Sequence, residues 1–87
     1  MEEIKINIPE YDDAFELVWD DNFAIRTSTE YDAITIEANR AGLLSLARHL
    51  LLLAQEDVPN GSHFHLDAFN SLEDNSVELI ISKNENL

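Results

Sequence analysis

The chain has no cysteine, two glycines, two prolines and five lysine or arginine residues against eighteen acids. The missing cysteine excludes disulfides and thiolate zinc sites. Two glycines leave no glycine-rich loop to cradle a phosphate, and no nucleophile elbow is present. No apolar run is long enough to span a bilayer, and no basic stretch precedes an apolar one at the N-terminus. The expectation is a cytoplasmic protein with no cofactor. Scarcity of basic residues sets the formal charge at −13. Nucleic acids and anionic membranes are held by lysine and arginine that neutralise phosphate, so the balance argues against both as direct partners.

The acids are unevenly placed. Residues 1–38 hold eleven acids and two bases, and Glu10–Asp21 holds six acids with no base. Such a field keeps a domain soluble, and it also steers a basic protein toward the N-terminal part of the chain. Solubility alone would account for the charge equally well. If a partner reads it, Asp12, Asp13, Asp20 and Asp21 are the steering candidates. Trp19, beside them, is a candidate anchor, with packing against the core as the competing role.

At 87 residues the chain is read as one domain, 1–87, with a tail at 83–87 expected to fray. Asn39–Asp57 is the long helical stretch. Leu43, Leu46, Ala47, Leu50 and Ala54 follow the spacing of one helix face, flanked by Leu44, Leu51 and Leu53. Ser45, Arg48, His49, Gln55 and Glu56 lie opposite, with Leu52 among them. Asn39 is placed to cap the helix, and Pro59 with Asn60–Gly61 to stop it. Alternating residues predict strands at Met1–Ile8, Ala14–Trp19, Phe23–Ser28, Ala33–Ala38, His63–Asp67 and Val77–Lys83. The order β-β-β-β-α-β-β gives a two-layer α+β domain: a mostly antiparallel sheet with one long amphipathic helix on one face. Leu46→Ala or Leu50→Ala is then expected to cost about 2–5 kcal/mol. Six strands at ~4.8 Å exceed what one helix of about 10–12 Å can cover. Strong curling, the Pro9–Asp13 loop or a second copy of the chain would supply the rest, and the last makes a homodimer one expectation.

His63-Phe64-His65-Leu66-Asp67 is the one stretch with the look of a site. Strand alternation puts His63, His65 and Asp67 on one face, about 7 Å apart in succession. Two imidazoles and a carboxylate suit a zinc-like ion, with Glu78 or Glu37 to complete the set. Spacing along an extended strand fits a single ion poorly, and the alternative is a set of solvated outward residues. Ser62 beside His63 is adjacency only, and paired acids such as Asp12–Asp13 sit in turns where solvated acids are ordinary. The chain reads as a non-enzyme.

Four stretches in order, VWDDNFAI, AITIEANRAGLLSLARHLLLLA, GSHFHLD and SVELIIS, resemble the immunity proteins of bacterial polymorphic-toxin systems, specifically immunity family thirty-two. The likeness covers roughly residues 15–83. It is most specific at the Asn-x-x-Gly-Leu-Leu-x-Leu-Ala pattern of Asn39–Ala47 and the His-x-His-Leu-Asp strand of His63–Asp67, and it departs at Ala38, where a glycine is expected. The resemblance implies an α+β fold and cytoplasmic neutralisation, by binding, of a cognate toxin. It supplies no catalytic residues. A small acidic homodimeric structural or regulatory interaction domain is the competing reading, and a metal-dependent enzyme built on His63 and His65 a third.

Overall fold

Tyr31 and Asp32 both take positive φ, 51° and 65°, the left-handed pair that a two-residue type I′ hairpin turn demands. They join β1 (Ile25–Glu30) to β2 (Ala33–Ala38), antiparallel from Glu30 opposite Ala33 to Ile25 opposite Ala38. The computed structural model describes residues 1–13 and 16–87, and the remaining elements are α1 (Arg40–Ala54), β3 (His63–Leu66) and β4 (Leu79–Ser82). β4 pairs antiparallel with β3, from His63 opposite Ser82 to Leu66 opposite Leu79. The architecture is thus α+β, antiparallel strands with one helix packed against them.

The tight turn fixes which backbone groups of the first hairpin face outward. Glu30 and Ala33 close the hairpin as a hydrogen-bonded pair, so the pairs 28/35 and 26/37 follow, and Ile25, Thr27 and Thr29 aim their amides and carbonyls away from β2. A distant segment meets them there. Ile25 O accepts from Glu73 N–H at 2.8 Å and Thr27 O from Val77 N–H at 3.2 Å. Thr27 N–H donates to Ser76 Oγ at 3.2 Å, and Thr27 Oγ1 donates to the Val77 carbonyl. Residues 73–77 therefore link the two sheets and lead into β4.

Asn39 starts the helix as expected, its Oδ1 accepting Gly42 N–H at 2.8 Å. Gly42 is needed for a close approach: a Cβ there would lie 2.5 Å from Ala24 O and 2.9 Å from Ile25 Cγ1. The first turn of α1 thus rests directly on the start of β1. At the other end, Lys83 Nζ donates to Gln55 O at 2.7 Å and Val58 O at 2.9 Å, a cation on carbonyls at the helix C-terminus. The 83–87 tail does not leave the body at once, because Glu85 N–H also reaches Asn60 Oδ1 at 2.8 Å.

The helix is rotated about its axis relative to the face read from leucine spacing. Its buried residues are Gly42, Ser45, Leu46, His49, Leu52 and Leu53. Leu43, Leu50 and Leu51 are exposed, Leu50 by 46%. Leu46 and Leu53 join Ile25, Val58, Phe64, Leu66 and Leu72 in one core that spans both sheets. The reason for the rotation lies in the N-terminal segment, which needs the polar groups Ser45 and His49 as attachment points.

Two of the six expected strands do not form ladders. Residues 1–8 and 16–19 carry no strand, and Ala14 and Phe15 lie outside the described residues. Glu2 instead pairs with Arg40 at the start of the helix, and Pro9 O accepts from Gln55 Nε2 at its end, 3.0 Å away. Seven residues of extended chain reach about 23 Å, matching about 22 Å for the 15-residue helix. The N-terminal run is a strap along the helix rather than a member of a sheet.

Candidate functional site

Helix polar groups and the acidic segment that follows the strap build an extended polar cluster. Ser45 donates its hydroxyl to Ala41 O at 2.9 Å, a back-bond within the helix, and accepts Asp20 N–H at 2.9 Å. Arg48 Nη1 reaches Asp20 Oδ1 at 2.9 Å and Val18 O at 3.4 Å. His49 donates from Nε2 to Val18 O at 3.0 Å. Asn39 adds a third anchor: its Nδ2 donates to Asn22 O at 2.8 Å, and its Oδ1 accepts Ala24 N–H at 3.0 Å. Residues 18–24 are thereby pegged to the helix at successive turns.

The steering candidates fall into two groups. Asp12, Asp13 and Asp21 are exposed, so their charges face solvent. Asp20 is half-buried and bound to Arg48, which offsets its charge locally. Trp19 is half-buried, stacked on Phe23 at a centroid distance of 4.4 Å and edge-on to His49 at the same distance. It packs the seam between the pegged segment and the helix. Sequence spacing gave no hint of this arrangement, because Ser45, Arg48 and His49 read as a solvated face.

His49 is 1% exposed, and its Nδ1 is buried with no hydrogen-bond partner among the described residues. Burial pushes its pKa below the ordinary histidine value, and the Arg48 charge adds to this. The Val18 carbonyl and Asp20 pull the other way and are outweighed.

His63 and His65 do project together from β3, while Phe64 and Leu66 turn into the core. Their rings meet edge-to-face at 4.9 Å. His65 Nδ1 lies 3.3 Å from Glu78 Oε2, and His63 Nδ1 donates to Gly61 O at 3.1 Å. Asp67 does not join them. Its Oδ1 accepts Phe69 N–H at 2.9 Å and Asn70 N–H at 3.1 Å, closing an Asx turn beyond the strand. Glu37 belongs to the other sheet. Among the described residues no group of three or more histidine or acidic side chains is disposed to hold a metal ion.

An open depression of about 340 Å³ lies at the mouth of the first hairpin, where Arg26, Glu37 and Glu73 surround Ile25 and Asn39. Its charged groups come from three separate stretches, and none is set against a nucleophile. No helix of the described residues is long and apolar enough to cross a membrane.

Residues 33–84 match the family described as Immunity protein 32. The match begins at β2, later than the start near residue 15 that the resemblance suggested, and takes in α1, β3 and β4. It includes both Asn39, the cap, and Gly42, the contact with β1, so the Asn-x-x-Gly pattern has a structural reason within this chain. No curated protein and no solved structure matches the chain.

Proposed function

The chain belongs to the Immunity protein 32 family, and from that premise we propose that it neutralises a cognate toxin domain by binding it, steered by its acidic N-terminal surface. An immunity-type role of this family is non-enzymatic and needs a protein partner. The observation that carries the finer reading is the placement of charge. Asp12, Asp13 and Asp21 are exposed, and Asp21 lies on the segment that the helix holds in place through Ser45, Arg48 and His49. A net charge of −13 favours a basic partner.

Two measurements test this. Co-expression with the cognate toxin domain should restore growth to cells that the toxin alone arrests; continued arrest with both proteins present would end the proposal. For the electrostatic part, Asp12→Asn, Asp13→Asn and Asp21→Asn combined should slow association by roughly ten-fold at low salt, with little change in dissociation. The effect should shrink as ionic strength rises. Association insensitive to salt would remove the steering role while leaving neutralisation intact.

A further inference from the structure

β1 has neighbours on both edges, whereas β2 has one. Its partner is β1, and among the described residues no backbone group is bonded along its other edge. The register that sends Ile25, Thr27 and Thr29 outward from β1 does the same for Ile34 and Ile36 on β2. Their N–H and C=O groups therefore point into open solvent. Ile34 and Ile36 share the inner face with Thr29 and Thr27, their cross-strand partners, yet remain 76% and 43% exposed. The helix does not reach far enough to cover them.

Exposed edges of this kind are normally blunted by lysine, proline or a bulge. Ala33–Ala38 contains no lysine or proline, and its register with β1 runs without interruption. An unblunted edge with apolar side chains is the template for strand addition, in which backbone hydrogen bonds hold the incoming chain and alternate side chains select it.

Charge decides what the edge can take. From Ile25 to Ala38 the charged residues are Arg26, Glu30, Asp32 and Glu37. A second copy pairing about Thr35 would set the Glu37 of each copy beside the Asp32 end of the other and bring two bodies of −13 together. A strand with basic flanks meets complementary charge instead. We infer that the free edge of β2 takes up an extended segment of the toxin, apolar at alternate positions and basic at its ends, as an added third strand. This rests on the neutralisation reading above and gives it a contact surface: the exposed acids govern encounter, and β2 governs retention.

The test is amide hydrogen exchange on the chain alone and mixed with the toxin domain that it neutralises in the co-expression assay. The Ile34 and Ile36 amides should exchange freely alone and at least ten-fold more slowly in the complex. Ile34→Pro removes one outward donor and leaves the donors of the β1–β2 ladder in place, so it should speed dissociation by roughly ten-fold. Its circular dichroism and melting point are compared with the parent. Should it fail to fold, exchange on the parent chain still decides. A complex that leaves both amides unprotected overturns the edge inference and spares the neutralisation reading. Failure to form any complex removes both. Protection of these amides in the free chain, with a doubled mass in light scattering, would place a second copy on the edge and overturn the assignment to the toxin.

Discussion

His49 donates to the carbonyl of Val18 through Nε2, while its Nδ1 is buried without a partner among the described residues. Trp19 and Phe64 flank the imidazole, both edge-on. A proton added at Nδ1 would create a second N–H with nothing to receive it, next to the positive charge of Arg48.

This arrangement makes folding stability depend on pH. The unfolded chain carries an ordinary histidine with a pKa of about 6.5, whereas the native pKa is lowered by burial. Between the two values the unfolded state holds more protons, so stability rises with pH across that window. It is complete above about pH 6.5 and declines as pH falls toward the native pKa. Urea midpoints should fall as pH is lowered through this range, and His49→Gln should remove the part of the slope due to this residue. Identical slopes for the two proteins would refute the assignment.

The rotated helix face gives a mutational signature. Leu52 and Leu53 are almost wholly buried, so alanine at either should cost about 2–4 kcal/mol in urea unfolding. Leu50 is 46% exposed, and Leu50→Ala should cost about 1 kcal/mol, clearly less than either. The reverse order would restore the face suggested by leucine spacing alone.

Gly42→Ala separates helix propensity from packing. An isolated helix gains up to about 1 kcal/mol from this change. Here the new methyl would press on the Ala24 carbonyl, a backbone atom that cannot swing aside. The net result should be a loss of about 1–3 kcal/mol, read from the thermal midpoint.

At the hairpin tip the prediction runs in the stabilising direction. Tyr31 holds a φ of 51° although it is almost fully exposed, so its ring gives up little contact if removed. Asparagine adopts this conformation more readily, and Tyr31→Asn should raise stability by about 0.5–1 kcal/mol. A decrease would mean that the tyrosine ring makes a contact of its own.

Much of the secondary structure can be read from residue order. The β2 and β3 runs alternate cleanly enough to locate, β4 is found although Ile80 breaks its alternation, and Asn39 marks the start of the helix. The direction in which the helix faces is not legible in the same way. A periodicity count treats Ser45 and His49 as solvated and Leu50 and Leu51 as buried, because it weighs each side chain alone. What reverses this is the backbone of residues 18–20, whose free groups satisfy the serine and the histidine inside the protein. Ile4, Ile6 and Ile8 mislead for a related reason. Alternation predicts a buried face, yet Ile4 and Ile8 remain exposed, and the run is tied to the helix at Glu2 and Pro9 without any ladder. The acids were legible as a cluster; that Asp20 is tied to Arg48 while Asp12, Asp13 and Asp21 stay free depends on a contact 28 residues away.

Thr27 exchanges its amide, hydroxyl and carbonyl with Ser76 and Val77, about fifty positions later in the chain. The first hairpin needs only its own turn and can close within microseconds. Its second edge has to wait for a loop of that length to be brought round, with the accompanying entropy loss. Refolding should therefore pass through a moment when both edges of this hairpin lie bare, and crowding the solution at that stage favours intermolecular strand exchange over the native closure.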